Sequence, residues 1–126
     1  MSHPNRNTGP SGDFGMSEPE RHGALTLIRL NGRLDGKAAQ ALQTNCEELR
    51  NQGLKHLALD LSQVTFLASS GLGVFLAQTE EFKEGGGSLH LVAVSSVVAA
   101  VINLLNVDRF LSMSSTIEEL ETSIST

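Results

Sequence analysis

Short apolar segments alternate with longer segments of helical character along most of this chain, and this alternation restricts its fold more than any other feature. The apolar segments have the length and composition of strands, predicted at residues 24–31, 56–61, 89–94 and 110–113, with an edge strand at 14–19. Helices are predicted at residues 35–53, 69–87, 97–105 and 115–124. Strands and helices that alternate in this way form a mostly parallel sheet with right-handed crossovers. We therefore expect an α/β fold, a single domain with four to five strands and about four helices in the order β-β-α-β-α-β-α-β-α.

The starts of the predicted helices carry capping signals. Asp35 is the expected N-cap of the first helix, because its short carboxylate can accept a hydrogen bond from a free amide of the first turn. Ser95 or Ser96 is expected to cap the third helix. Ser115 and Glu118 have the spacing of a capping box at the start of the last helix.

Composition limits the class of protein and its partners. The length of 126 residues suits one domain, predicted over residues 13–126, and the polar residues 1–12, rich in Gly, Pro and Asn, are predicted to be a disordered tail. The net charge of −5 argues against nucleic acid or an anionic membrane as the main partner. The lone Cys46 cannot form an internal disulfide, which fits a cytoplasmic location.

Residues 88–107 contain no charged side chain and have the length of a membrane span. The run is interrupted by Ser95 and Ser96, which divide it into a β-type half and a helical half. We therefore expect a buried strand followed by a buried helix, without membrane insertion.

The segment F-L-A-S-S-G-L-G, residues 66–73, places two serines and two glycines between an apolar strand and an apolar helix. Two interpretations are open. The simpler is that Ser69 or Ser70 caps the helix, while Gly71 and Gly73 permit close packing on the sheet. The other is that one serine accepts a phosphoryl group at the helix start, where negative charge is favoured.

Asp35 is expected close to these serines, because the carboxyl ends of neighbouring parallel strands meet at one edge of the sheet. No charged residue lies between Asp60 and Glu80. A phosphoserine would add about −1.5 to −2 charges to this uncharged segment, with no nearby Lys or Arg in the sequence to pair with it. Phosphorylation is therefore expected to break a contact with a partner.

Patterns typical of enzymes, cofactor sites and metal sites are absent from the sequence. The serines lie outside G-x-S-x-G, and there is no G-x-x-x-x-G-K-[ST] phosphate loop. None of the four histidines has a second ligand at zinc-like spacing. Asp60 lies within an apolar strand and is expected to accept hydrogen bonds from loop amides near the site. The sequence therefore predicts a binding module with no catalytic residue, no metal and no cofactor.

Three segments, in this order, resemble the STAS domain of bacterial anti-sigma factor antagonists. They are G-R-L-D at 32–35, L-A-L-D-L-S-Q-V-T-F-L-A-S-S-G-L-G-V-F-L at 57–76 and G-G-S-L-H-L-V at 86–92. The resemblance runs from about Phe14 to the end of the chain, including V-I-N-L-L-N-V-D-R-F at 101–110, and its middle segment is the most specific.

The resemblance implies a small non-enzymatic switch. Unphosphorylated members of the family bind an anti-sigma factor that is also a serine kinase, which frees the sigma factor. The kinase phosphorylates a serine in the motif D-S-[ST]-G-L-G, and a PP2C-type phosphatase reverses the reaction. By the match to this motif, Ser69 is the expected phosphorylation site and Ser70 the second choice.

Asp35 aligns with the family's loop aspartate beside the site, whereas Ala68 replaces the aspartate that precedes the phosphoserine. The resemblance implies that this missing aspartate organises the loop or the kinase contact. A second hypothesis therefore stays open, a STAS subunit of a lipid-transport ABC complex or a scaffold module that binds without phosphorylation. A nucleotide-binding domain is a third. The expected partner-binding surface comprises Asp35, Asp60, Ala68, Ser70, Gly71, Leu72 and Gly73.

Overall fold

The computed structural model describes residues 13–125, so the predicted tail at 1–12 lies outside the described residues. Four α-helices and six strands follow one another along this range. The strands are β1 Gly15–Met16, β2 Glu20–His22, β3 Leu25–Leu34, β4 His56–Leu67, β5 Ser88–Val92 and β6 Met113–Ser114. The helices are α1 Gly36–Asn51, α2 Ser69–Glu84, α3 Ser96–Leu105 and α4 Ile117–Ser125, with a short 3-10 helix at Asp108–Phe110.

The six strands form one mixed sheet. Its main path has the order β1-β3-β4-β5-β6, and β2 pairs with another part of β3. The four strands from β3 to β6 are parallel, whereas β1 and β2 are antiparallel to β3. The expected α/β class and mostly parallel sheet are confirmed. The sheet has one more strand than the expected maximum, because the N-terminal segment pairs with β3 at two separate places.

Both central strands extend beyond their predicted ends, β3 to Leu34 and β4 to Leu67. Residues 32–34 and 62–67, which lie beyond the ends of the predicted strands, are therefore strand. Two register shifts in the β3–β4 pair explain the difference. On the face of the sheet that packs against α1, α2 and α3, the buried side chains of β4 are spaced by two residues at first and by three later, at Leu57, Leu59, Leu61, Val64 and Leu67. This interruption of strict alternation hides the second half of the strand from a pattern-based prediction.

The core has two parts, one on each face of the sheet. On one face, side chains of α1, α2 and α3 such as Leu42, Phe75 and Ile102 belong to a cluster with Leu59 and Leu91. This arrangement follows from right-handed crossovers that all move in one direction across the sheet. On the other face, α4 packs through a smaller cluster that comprises Leu25, Leu27, Ala58, Val92 and Leu120.

The C-terminal segment differs from its prediction in two details. Residues 108–110 form the 3-10 helix, and only Met113 and Ser114 pair with β5, so the strand predicted at 110–113 is mostly wrong. The last helix is capped by Thr116, whose hydroxyl accepts a hydrogen bond from the Glu119 amide at 3.1 Å. The predicted capping box at Ser115 is therefore one residue out of place.

The uncharged run 88–107 divides between β5 and α3, as expected. Ser95 caps α3, because its hydroxyl accepts a hydrogen bond from the Val98 amide at 3.3 Å and donates one to the Val64 carbonyl at 2.9 Å. Within residues 13–125, no helix has the length and apolar character needed to cross a bilayer.

His90 lies in β5 with both ring nitrogens engaged. Nδ1 is 2.6 Å from Ser112 Oγ and Nε2 is 2.7 Å from Ser88 Oγ, and the side chain is buried. Burial, with a smaller contribution from the nearby His56, lowers the pKa of His90 below its usual value. The folded protein therefore favours the neutral form of the His90 imidazole.

We expect the free energy of unfolding to fall as the pH drops below about 6.5, the ordinary histidine pKa in an unfolded chain, because the unfolded state then binds a proton that the folded state resists. Above that pH the effect is absent. Urea unfolding between pH 7.5 and pH 5 measures it, and the slope should be smaller in a His90→Gln variant. Equal slopes in the two proteins would contradict this assignment.

Candidate functional site

The candidate site lies where β3 and β4 end together. Leu34 pairs with Leu67, and the amide of Ala68 donates a hydrogen bond to the Leu34 carbonyl at 3.0 Å. Asp35 and Ala68, the next residues of the two strands, are the N-caps of α1 and α2. Two helix N-termini therefore begin side by side at the carboxyl edge of the sheet.

Ser69 and Ser70 are the first two residues of α2, and neither caps the helix. The N-cap is Ala68, which makes no side-chain capping bond. Both serines are exposed, and none of the side-chain hydrogen bonds found within residues 13–125 uses either hydroxyl. The simpler of the two interpretations, helix capping by a serine, is wrong because the helix begins one residue earlier than a serine cap requires.

Asp35 anchors the facing helix start. Its Oδ1 accepts a hydrogen bond from the Ala38 amide at 3.0 Å, so the predicted N-cap is confirmed. Gly36 follows it, and a Cβ built on Gly36 would lie 3.8 Å from Ser70 Oγ. The start of α1 and the second serine of α2 are therefore neighbours, which brings Asp35 to the same side of the sheet edge.

Gly71 and Gly73 differ in the space that a larger side chain would find. A Cβ added at Gly71 would lie 2.8 Å from Leu67 Cδ1 and 3.0 Å from Leu34 Cδ2, so α2 packs on the strand ends only because a side chain is missing there. At Gly73, which is exposed, a Cβ would meet nothing within 4 Å. Between them, Leu72 is buried in the core. Close packing therefore accounts for Gly71 but not for Gly73.

Asp60 is not brought to the serines. It pairs with Arg29 in the β3–β4 register, well before the Leu34–Leu67 pair at the strand ends. Its Oδ1 accepts a hydrogen bond from the Ser62 amide at 2.9 Å, and its Oδ2 lies 3.8 Å from Arg29 Nε. Asp60 therefore accepts a hydrogen bond from a backbone amide, as expected. This hydrogen bond stabilises the first bulge of β4 and does not involve the segment that contains Ser69 and Ser70.

Two cationic side chains that the sequence analysis did not assign to the site lie on either side of Asp35 in the sequence. Arg33 and Lys37 line a surface depression together with Asp35 and Phe14, and the guanidinium carbon of Arg33 lies 4.1 Å from the centre of the Phe66 ring. The residues that line this depression do not include Ser69 or Ser70, so the expectation that no Lys or Arg stands ready to pair with a phosphoserine there stays a prediction.

The site offers hydrogen-bond donors, hydroxyls and one carboxylate, and its described side chains are not arranged for metal binding. Among residues 13–125, no three His, Cys, Asp or Glu side chains lie close enough together to hold an ion. Cys46 lies in α1, buried, and burial raises the pKa of its thiol to about 12, so it is not a nucleophile.

Comparison with known proteins agrees with this fold. The model of the STAS domain family matches residues 16–120. The chain is 27% identical over 88 residues to an anti-sigma F factor antagonist of Paenibacillus polymyxa, covering 69% of this chain and 75% of that one. It is 28% identical over 103 residues to the anti-sigma-F factor antagonist RsfB of Mycobacterium tuberculosis, covering 82% and 84%. The crystal structure of an anti-sigma factor antagonist from Mycobacterium paratuberculosis has a TM-score of 0.79 at 24% identity, covering 94% and 98%.

The two glycines provide a matched pair for a test of the helix start. We expect Gly71→Ala to lower the free energy of unfolding by about 1–3 kcal/mol, because the new methyl group must displace buried leucine side chains. Gly73→Ala should raise it by about 0.5–1 kcal/mol, because alanine is the better helix former and finds open space. Urea unfolding of both variants measures the difference, and equal effects would contradict the packing described for Gly71.

Ala68, the N-cap residue of α2, makes no side-chain capping hydrogen bond, and this leads to a second prediction about stability. Ala68→Asp should stabilise the protein by about 0.5–2 kcal/mol, since the new carboxylate can accept hydrogen bonds from the first-turn amides of α2. Ala68→Leu serves as the control, because leucine at this position cannot accept a hydrogen bond. Thermal or urea unfolding provides the measurement, and a gain of similar size in the leucine variant would speak against capping as the cause.

Proposed function

Because this chain belongs to the STAS domain family, we propose that it is an anti-sigma factor antagonist, a regulatory binding protein and not an enzyme. In this proposal the unphosphorylated chain binds an anti-sigma factor that is also a serine kinase. Phosphorylation of Ser69 by that kinase ends the contact, and a PP2C-type phosphatase restores it. The chain then regulates transcription in the cytoplasm by exchanging protein partners, without direct contact with nucleic acid.

The accessibility of the two serine hydroxyls is the observation that carries the proposal. A kinase needs a hydroxyl that is exposed and not already committed to the fold, and both serines of α2 meet this condition. The names of the two sequence relatives support the same role, since both are antagonists of an anti-sigma F factor. The match of residues 69–73 to the family motif supports a serine at this position as the acceptor.

Two features favour Ser69 over Ser70. Ser69 occupies the motif position at which the family is phosphorylated. Ser70 Oγ faces the start of α1, where it lies 3.8 Å from the position of a Cβ on Gly36. The acceptor hydroxyl of Ser70 therefore has the start of α1 next to it, although its side chain is exposed. We propose Ser69 as the acceptor and Ser70 as its neighbour in the contact surface.

The direction of the switch follows from charge. A phosphoryl group adds about −1.5 to −2 charges at neutral pH, next to a surface that already carries Asp35. A partner that covers this surface would have to remove water from that charge. Lys37, which follows Gly36, is exposed and can pair with only part of it. Phosphorylation is therefore proposed to weaken partner binding.

Ala68 favours a second candidate function. Without an aspartate at the N-cap of α2, the loop before Ser69 lacks a side chain that could contact a kinase or order the helix start. A STAS subunit of a lipid-transport ABC complex, or a scaffold module, needs no phosphorylation and would tolerate this change. The two candidates differ in their partners, which are a kinase in the first and an ABC-type ATPase in the second.

Phosphorylation of the full chain by its cognate anti-sigma factor and ATP tests the leading proposal. We expect mass spectrometry to locate one phosphoryl group on Ser69, and Ser69→Ala to abolish labelling while it retains binding. Ser69→Glu should weaken binding of the anti-sigma factor at least about tenfold, a loss of about 1.4 kcal/mol.

Ser96→Glu is the matched control, because Ser96 is exposed and is also the first residue of a helix. It adds the same charge at the same helical position and should leave binding of the anti-sigma factor unchanged. If neither Ser69 nor Ser70 is phosphorylated while the chain still binds the anti-sigma factor, the phosphorylation switch is rejected but the proposed binding is not. Co-purification with an ABC-type ATPase in place of a kinase would favour the second candidate.

A further inference from the structure

Two histidines and two serines form a continuous set of hydrogen-bond contacts, which we call the His–Ser chain. His56 Nδ1 lies 2.7 Å from Ser88 Oγ, and the same oxygen lies 2.7 Å from His90 Nε2. The other ring nitrogen of His90, Nδ1, lies 2.6 Å from Ser112 Oγ. The His–Ser chain thus extends from β4 through β5 to the residue before β6, and its two histidines share one hydroxyl.

The His–Ser chain lies on the face of the sheet that α4 covers. His90 alternates with Leu89 and Leu91, whose side chains belong to the core cluster shared with α1, α2 and α3. The side chain of His90 therefore points to the opposite face, as does that of Val92, which belongs to the smaller cluster with Leu120 of α4.

The contact with Ser112 attaches the C-terminal segment, residues 112–125, to the sheet. β6 has two residues, lies at the end of the main path of the sheet and pairs with β5. The Leu91 amide donates a hydrogen bond to the Ser112 carbonyl at 2.8 Å, and the Ala93 amide donates one to the Ser114 carbonyl at 3.0 Å. A two-residue edge strand followed by a nine-residue helix is the kind of segment that opens locally at a lower free energy than the whole domain.

The His–Ser chain is satisfied when both imidazoles are neutral. In one arrangement Ser112 donates to His90 and His90 donates to Ser88. The hydroxyl of Ser88 then donates to His56. In the opposite arrangement His56 donates to Ser88 and Ser88 donates to His90, whose Nδ1 then donates to Ser112. Each contact therefore contains one hydrogen in either direction.

One added proton is also accommodated. A protonated His56 has to donate from Nδ1 to Ser88, which selects the second arrangement and leaves His90 neutral with its hydrogen on Nδ1. His56 is half-buried and His90 is buried, so a charge on His56 loses less hydration. The first proton is therefore expected on His56.

A second proton is incompatible with the closed His–Ser chain. Both histidines would donate to Ser88, whose own hydrogen would then have no acceptor in the chain. Two cations would also face one oxygen atom. Burial and, to a smaller extent, the nearby His56 lower the pKa of His90, which agrees with this exclusion. His90 therefore gains a proton readily only where it has left the closed chain.

The other described charged groups around this face make no contact in the His–Ser chain. On α4, Glu121 Oε2 would lie 3.3 Å from a Cβ on Gly23, beside the start of β3, and the remaining carboxylates of the helix are exposed. Among the described groups, His56 is the charge that shifts the pKa of His90. The other groups are Glu118 and Glu119 of α4, Lys55, which donates to the Gly85 carbonyl, Arg109, which lies over the Phe110 ring, and the mutually paired Glu20, His22, Arg29 and Asp60.

We propose that the His–Ser chain is a pH-dependent switch that controls local opening of the C-terminal segment. At neutral pH the chain is closed, and Ser112 holds this segment to His90. In acid, His56 takes up the first proton from solvent. His90 takes up the second only in molecules in which Ser112 and β6 have separated from β5. Separation of α4 together with β6 would expose the other members of the smaller cluster, Leu25, Leu27, Ala58 and Val92.

The direction of the switch follows from proton binding. The pKa of His90 lies below its ordinary value in the closed protein, whereas in the open segment it returns to about 6.5. The open form therefore binds more protons, and the closed form loses its advantage as the pH falls below about 6.5. The proposed phosphorylation site lies at the start of α2, outside β5 and the C-terminal segment, so the two proposals can fail separately.

Hydrogen exchange of the full chain, followed by NMR at about pH 7.5 and about pH 5.5, tests the switch. The reporter amides are those of Leu91 and Ala93, because both donate to carbonyls of the C-terminal segment. We expect their opening constant, corrected for intrinsic exchange, to rise between about threefold and tenfold at the lower pH. Low urea concentrations should hardly change it, since local opening exposes little surface. The amide of Leu59, in the centre of the sheet, should exchange more slowly and depend strongly on urea.

Three matched variants assign the pH response to the His–Ser chain. His90→Gln should abolish the response of the reporter amides, because glutamine does not titrate. His56→Gln should reduce it, because no second cation then opposes protonation of His90 in the closed protein. Since His56 is half-buried, this variant keeps the test decisive if His90→Gln does not fold. His22→Gln is the control and should leave the response unchanged, because His22 contacts Glu20 and not the His–Ser chain.

NMR of the imidazole nitrogens tests the order of protonation. At about pH 6 we expect His56 to be protonated before His90, and the neutral His90 to carry its hydrogen on Nδ1. Three results would overturn the proposal. They are reporter amides that exchange with the rate and urea dependence of Leu59, a pH response that persists in His90→Gln, and protonation of His90 before His56 in the closed protein.

Discussion

The parallel pairing of β3 with β4 is the contact on which the rest of this structure depends. It extends from Thr26 opposite Leu57 to Leu34 opposite Leu67, and two bulges keep the apolar side chains of β4 directed into the core. Because the strands end in register, α1 and α2 begin next to each other. Asp35 and the serines of α2, which are distant in sequence, thereby come to one edge of the sheet.

The start of α2 breaks the capping rule that the other helices obey. Asp35, Ser95 and Thr116 provide a side-chain oxygen to the first turns of α1, α3 and α4, whereas Ala68 provides none to α2. Such a local departure costs about 1 kcal/mol and is the kind of inconsistency that functional sites often retain. Together with the free hydroxyls of Ser69 and Ser70, it makes this helix start the part of the fold that stability alone does not explain.

Helix α3 shows how an uncharged segment can serve two purposes in one domain. Its buried side chains complete the core, and its exposed side chains form a second apolar surface. Neither set of side chains requires a membrane, although residues 88–107 have the length of a membrane span and contain no charged residue. The distinction depends on Ser95, which ends the strand segment and caps the helix.

The sequence by itself determined the features that depend on residues close together in the chain. The alternation of strands and helices, and the caps at Asp35 and Ser95, follow from patterns within a few residues. The tertiary structure alone decided the length of β4, because the positions of its bulges depend on how it pairs with β3. It also brought Ser70 next to the start of α1 and left Ser69 and Ser70 outside the cap of α2. These outcomes depend on how strand ends and helix starts pack against each other, and no local pattern contains that information.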